Sequence, residues 1–197
     1  MIRGAVFDCG GVLVTLGEAE YRAAVAQRLG LPVLPNCYAQ SIPALQRGDM
    51  PEEEVWVQVA ERPVPLDAFD DIFAAHFRPV EAMLQLAAEL RRMGLMTAIL
   101  SNTQVSHARV LRRMGFMESF GPVALSCEMG ARKPEPEAYQ IILDQMGLAP
   151  DEVVFVDDMV RNIDAAEMVG MQTLLHTGDT AATRQALLSL VGVQAAG

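Results

Sequence analysis

At 197 residues, with 51% hydrophobic and 20% charged residues, the chain has the composition of a globular protein with one substantial core, or a core domain plus a small insertion. Its formal net charge of −10 excludes a phosphate-backbone binder, which needs clustered Lys and Arg, so no nucleic-acid partner is expected. No apolar run approaches membrane-spanning length, and three cysteines without CxxC spacing suggest neither a disulfide framework nor a zinc site, which favours a reducing cytoplasm.

The first apolar run, Ala5-Val6-Phe7-Asp8-Cys9-Gly10-Gly11-Val12-Leu13-Val14, reads as a buried strand interrupted by a carboxylate and followed at once by two glycines. The start of the chain resembles a short signal-peptide core, but Asp8 and the glycine pair interrupt it and no small-residue cleavage site follows. A lone Asp where a buried strand gives way to glycine sits at the strand's carboxyl end, where open α/β sheets place their chemistry. The plainer alternative is an Asp that starts a turn.

Residues 16–79 have a different texture. Helical patterns run through Tyr21 to Leu29, Pro51 to Val57 and Asp67 to Phe77, punctuated by Gly30, Pro32, Pro35, Gly48, Pro51, Pro63 and Pro65. No run there alternates as a strand would, so a small all-helical insertion of about four helices is expected, with 1–15 and 80–197 forming the α/β core.

From Val80 helix and strand alternate. Met83, Leu86, Ala87, Leu90 and Met93 repeat at helical spacing up to Gly94, and Leu95 to Leu100 follows as a strand ending in Ser101-Asn102. A helix over His107 to Met114, a short strand at Val123 to Leu125 and a helix from Pro136 to Met146 come next. The strand Val153 to Val156 ends in Asp157-Asp158, followed by a helix over Ile163 to Val169, a strand at Gln172 to Leu175 and a helix from Ala181 to Leu190. The fold class is therefore α/β: a Rossmann-like parallel sheet flanked by helices, with a helical insertion.

Three of these strands end in Asp8, Ser101-Asn102 and Asp157-Asp158, so a parallel sheet brings acids and a hydroxyl to one edge. Two carboxylates meeting without a counter-charge repel, and a hard cation relieves this; Mg²⁺ takes one or two carboxylates, water and a substrate phosphate. Ser101 and the backbone amides of Cys9, Gly10 and Asn102 can donate to phosphate oxygens, and Lys133, the only lysine in the chain, supplies positive charge. Asp8 is then free to attack phosphorus.

Phe7-Asp8-Cys9-Gly10-Gly11-Val12, Leu100-Ser101-Asn102, Arg132-Lys133-Pro134 and Val156-Asp157-Asp158 with Asn162 resemble, in order, the four motifs of the haloacid dehalogenase superfamily of hydrolases. The insertion resembles that superfamily's helical cap. The resemblance implies Asp8 as nucleophile and metal ligand, Asp158 as the second acidic ligand, and Asp157 beside the metal or a minor ligand. It also implies Ser101 as a phosphate donor, Lys133 as the bridge between phosphate and Asp8, and the Gly10 carbonyl as a metal donor. Asp157 has a second reading as a helix-entry residue. Asn162 is expected to order its loop, Asn102 to act chiefly through its amide, and Arg132 to be a solvated neighbour of Lys133.

One departure stands out. The superfamily's phosphatases usually carry a second Asp two residues after the nucleophile, as general acid and base, and Gly10 stands there. Some short-capped bacterial sugar-phosphate phosphatases that the chain resembles share this glycine. The expected function is a Mg²⁺-dependent phosphatase of a small phosphorylated metabolite, in a monomer or weak homodimer. The alternatives are a 2-haloacid dehalogenase and a non-catalytic binding or regulatory protein on the same fold. His76, His107 and His176 show no metal spacing and are expected on the surface or half-buried. Cys9 is expected to be packed, and the aromatics of the insertion mostly to form its core, with one or two facing substrate.

Overall fold

A computed structural model describes residues 1–192. In chain order it contains β1 (Gly4–Phe7), β2 (Val14–Leu16), α1 (Glu18–Leu29), α2 (Asn36–Arg47), α3 (Glu52–Ala60), α4 (Asp70–His76), β3 (Phe77–Pro79), α5 (Glu81–Arg92) and β4 (Met96–Ser101). It continues through α6 (Val105–Arg113), β5 (Val123–Leu125), α7 (Ser126–Met129), α8 (Pro136–Met146), β6 (Val153–Asp157), α9 (Val160–Val169), β7 (Gln172–Leu175) and α10 (Thr180–Leu190).

Five strands form one parallel sheet in the order β5-β4-β1-β6-β7, with β1 in the centre. Both faces of the central strands β1 and β6 are covered, which is why these two run apolar without alternation, while the edge strand β7 is partly exposed. Along β1, Ala5 and Phe7 join the cluster that includes Met83, Leu86 and Leu90 of α5. Val6 points the other way, into the cluster of Tyr139, Ile142 and Leu143 of α8 and Ile163 and Ala166 of α9. The chain runs outward from β1 to β4 and β5, then returns to β6 on the opposite side. The strand order thus reverses between β1 and β6, where open α/β sheets form their crevice.

Helices α1 to α4 lie between β2 and β3, which pair antiparallel from Val14 opposite Pro79 to Leu16 opposite Phe77. This pair is absent from the sequence expectation, because three residues per strand carry no readable period. The insertion has its own aromatic centre: Tyr38 stacks on Trp56 at 5.0 Å, and Trp56 meets Phe69 at 4.6 Å. It is fastened to α6. The buried Glu52 carboxylate accepts from the Ser106 amide at 2.7 Å and its hydroxyl at 2.8 Å, satisfying a free amide at the start of α6. Asp70 receives Arg109 and Arg113, each at 2.6 Å. Other boundaries move by a few residues: α4 begins at Asp70, α9 at Val160, and Ser101 belongs to β4.

Candidate active site

Asp8 follows β1 directly, and its amide donates to the Val156 carbonyl at 2.8 Å, so it stands level with Asp157 at the end of β6. Ser101 closes β4 on the other side of β1 and is buried. The parallel register therefore delivers all three to the carboxyl edge of the sheet, beside the crevice.

Lys133 reaches this edge from the loop between α7 and α8. Its Nζ lies 2.8 Å from Asp8 Oδ1 and 2.7 Å from Asp157 Oδ2, and its side chain is 1% exposed. Burial works against the ammonium charge, but the carboxylates of Asp8 and Asp157 more than offset it and raise the Lys133 pKa above the ordinary value. The Asn102 side chain holds the lysine's backbone from both ends: the Lys133 amide donates to Oδ1 and Nδ2 donates to the Lys133 carbonyl, both at 2.8 Å. The Asn102 side chain thus clamps the lysine backbone, where the amide was expected to matter chiefly.

Asp157 is fully buried and committed. Its oxygens accept from Lys133, from the Met159 amide at 2.8 Å and from Asn162 Nδ2 at 3.0 and 3.1 Å. It orders the entry to α9, the second of the readings given for it, and stands beside Asp8, while Asn162 orders the loop as anticipated. Asp158 is exposed, with a pKa raised by partial burial and by Asp157. Its carboxylate lies against Gly11, where a Cβ would overlap it. Gly11, at φ +78°, is a site residue that sequence reasoning passed over; the glycine pair was the only signal. Gly10 is exposed, and a Cβ there would meet nothing within 4 Å.

Cys9 is buried, and burial together with Asp8 raises its thiol pKa, so it is the packed residue expected. Its amide donates to Asp8 Oδ1 at 2.6 Å and fixes the carboxylate's orientation, rather than standing free for a phosphate. Burial pushes the Asp8 pKa up to about 7, with Lys133 opposing and Asp157 adding to the rise. Oxygens of Asp8, Asp157 and Asp158 all lie within 4.8 Å of one another. Asp8 and Asp157 contact the Lys133 ammonium and Asp158 lies close to both carboxylates, an all-oxygen donor set of the kind that hard divalent cations take.

A cleft of about 210 Å³ opens beside this edge, between the insertion and the loop after β4. Leu16, Tyr21, Tyr38, Ile42 and Gln46 line one side, and Asn102, Gln104 and His107 the other. His107 stacks on Phe73 at 4.0 Å and is neutral, because burial lowers its pKa to about 3. Its Nε2 lies 2.9 Å from the Tyr21 hydroxyl and 3.1 Å from Gln104 Nε2. Tyr21 and Tyr38 belong to the core of the insertion and also line the cleft, Tyr21 meeting His107 through its hydroxyl. His176 is more buried than expected, with Nδ1 2.7 Å from the Thr183 hydroxyl.

The family profile of haloacid dehalogenase-like hydrolases matches residues 2–170. The chain belongs to this hydrolase family. It is 30% identical to the sesquiterpene phosphatase astK of Aspergillus oryzae over 198 residues, covering 96% of this chain and 97% of that protein. It is 27% identical over 109 residues to the N-acetylmuramic acid 6-phosphate phosphatase of Pseudomonas aeruginosa, covering 55% of this chain and 48% of the relative. The rat bifunctional epoxide hydrolase 2 is 36% identical over 57% of this chain, which spans only 21% of that longer protein. In fold, a family enzyme of Bacteroides thetaiotaomicron crystallised with magnesium superposes with a TM-score of 0.76 at 22% identity, over 89% of this chain and 93% of that one. Among the described residues no helix is long and apolar enough to cross a membrane.

Proposed function

We propose that this hydrolase is a magnesium-dependent phosphatase that acts on a small phosphomonoester, a sugar phosphate, through an aspartyl-phosphate on Asp8. The observation that carries this reading is the ion pair of Asp8 with the chain's only lysine at the central strand end, facing the open carboxylate of Asp158. In this account residues 16–79 form a cap over a core of 1–15 and 80–197, of which the last five lie outside the described residues.

Asp8, Asp158 and the Gly10 carbonyl would hold the cation, with Asp157 beside them. Bound there, magnesium supplies positive charge against the carboxylates and the phosphoryl oxygens. Asp8 attacks phosphorus, the ester P–O bond breaks, and the leaving oxygen takes its proton from water, since Gly10 carries no acid. Lys133 stabilises the equatorial oxygens, and Ser101 donates to one of them. Water then attacks the aspartyl-phosphate, releasing phosphate and Asp8. The missing acid costs most for poor leaving groups, so substrates with a relatively acidic leaving oxygen are favoured.

The cleft supports a short hydroxylated leaving group. Its volume of about 210 Å³ falls below the roughly 300–1,000 Å³ of sites for drug-sized ligands, and its walls offer amide, phenol and imidazole groups. A second reading, a terpenyl phosphate, is favoured by one feature: an apolar groove of about 600 Å³ along Ala19, Ala23, Pro32, Val33 and Leu34 shares Glu18 and Arg22 with the cleft. Phosphate release from sugar phosphates and farnesyl phosphate, with and without Mg²⁺, separates the two. Asp8→Asn is expected to abolish release with the fold intact. Retained activity excludes Asp8 as nucleophile, and metal-independent fluoride release from fluoroacetate would restore the dehalogenase alternative.

A further inference from the structure

Arg132 was expected to be a solvated neighbour of Lys133, and it is not. It is half-buried, its Nη2 donates to Gln46 Oε1 of α2 at 2.8 Å, and its Nε is buried without any hydrogen-bond partner. A buried donor left unpaired is costly, and the protein supplies no partner for it, so a water or a bound ligand has to. No ion pair answers the charge either, although the Glu135 carboxylate accepts from the Arg132 amide at 3.1 Å. Among the described residues neither Arg132 nor Arg161 has a carboxylate within ion-pair distance. Arg47, which stands near them, is already paired with Glu135 and with Asp49 at 3.4 Å. Burial holds the Arg132 guanidinium below its ordinary pKa; Glu135 opposes this, and the positive charges of Arg161 and Arg47 add to it. In a chain of net charge −10, this is a local concentration of unneutralised arginine.

Its position ties it to the reaction. Arg132 directly precedes Lys133, whose Nζ contacts Asp8, and its partner Gln46 lines the cleft with Asn102. Arg161 lies in the first turn of α9, three residues after Asp158, and is exposed. A water molecule could satisfy the Nε–H but would leave the charge unanswered. An anion answers both, and the planar guanidinium fork matches the paired oxygens of a carboxylate or phosphate.

We propose that Arg132 and Arg161 form a subsite for a second anionic group of the substrate, so that preferred substrates are phosphomonoesters bearing a further phosphate or carboxylate. This rests on the phosphatase reading above and narrows its substrate class. The test is the ratio of kcat/KM for an anion-bearing substrate to that for its matched partner: fructose 1,6-bisphosphate against fructose 1-phosphate, and 3-phosphoglycerate against glycerol 3-phosphate. In the Mg²⁺-loaded wild type the ratio is expected to exceed one in at least one pair. There Arg161→Gln should lower it about tenfold, chiefly through KM of the anion-bearing member, and Arg161→Lys should restore part of it. Arg132→Gln should lower it further; the surface variant at Arg161 keeps the test intact if Arg132→Gln does not fold. An unchanged ratio in Arg161→Gln overturns the subsite while leaving the phosphatase reading standing; no turnover of any of the four by wild type, with phosphate still released from other phosphomonoesters, likewise overturns the subsite alone, and no release from any phosphomonoester overturns both. Added sulfate that alters turnover of the matched partners in wild type but not in Arg161→Gln, with no selectivity between the pairs, assigns the site to a free anion and also overturns the proposal.

Discussion

Substituting alanine at Gly11 and, separately, at Gly10 tests how the nucleophile loop shapes the metal-facing carboxylates. Gly11 adopts φ +78°, a conformation that costs an L-residue roughly 1–2 kcal/mol, and its Cβ would overlap the Asp158 carboxylate. Asp158 is exposed and its carboxylate can swing aside, so the steric part of the stability loss is small. That swing, however, carries an open carboxylate away from Asp8, and a displacement of about 1 Å at such a site can cost on the order of 10²-fold in rate. At Gly10 an added methyl meets nothing within 4 Å and no left-handed backbone is involved. Urea denaturation and the Mg²⁺ concentration for half-maximal phosphate release measure both effects. Gly11→Ala should be less stable than Gly10→Ala by about 1–2 kcal/mol and need at least about tenfold more Mg²⁺. Equal Mg²⁺ requirements in the two variants would refute the placement of Asp158 against this loop.

Lys133→Met leaves Asp8 and Asp157 buried without their counter-charge, which should cost about 3–5 kcal/mol in denaturant unfolding. Because Lys133 holds the Asp8 pKa down, any residual activity should have its acid limb displaced to higher pH. Asn102→Ala removes both hydrogen bonds to the Lys133 backbone and should destabilise by about 1–3 kcal/mol while lowering kcat more than it raises KM. The Asp8 pKa stands at about 7 in the folded protein against an ordinary 3.8, so the protonated form favours folding at low pH and that contribution is lost as pH rises through 7. Magnesium must displace this proton. Its affinity and the Tm increase it confers should therefore both grow between about pH 6 and 8, with proton release in calorimetry run in buffers of different ionisation enthalpy.

The strands were legible because a sheet covered on both faces needs uninterrupted apolar runs, and a carboxylate in such a run can stand only at its end. Asp8, Ser101 and Asp157 were found this way, and Lys133 by being the only lysine. What was illegible depends on contacts between distant segments. The Asn102 clamp joins positions 31 residues apart and the Gln46–Arg132 bond positions 86 apart, and neither leaves a periodic trace. Gly11 is demanded by the side chain of Asp158, far along the sequence. The β2–β3 pair is too short to alternate, and the cleft lines up Tyr38, Ile42 and Gln46 of α2 with Glu18, Tyr21 and Arg22 of α1 and His107 of α6, a helical spacing that core packing also produces.

The central claim is that Asp8 becomes phosphorylated during turnover. Acid quenching of the Mg²⁺-loaded protein while it hydrolyses its best substrate, followed by peptide mass spectrometry, tests this directly. The account predicts a phosphoryl group on the peptide containing Asp8, absent in Asp8→Asn. A protein that turns over steadily with no phosphoryl group on Asp8, or with one on another residue, would contradict it.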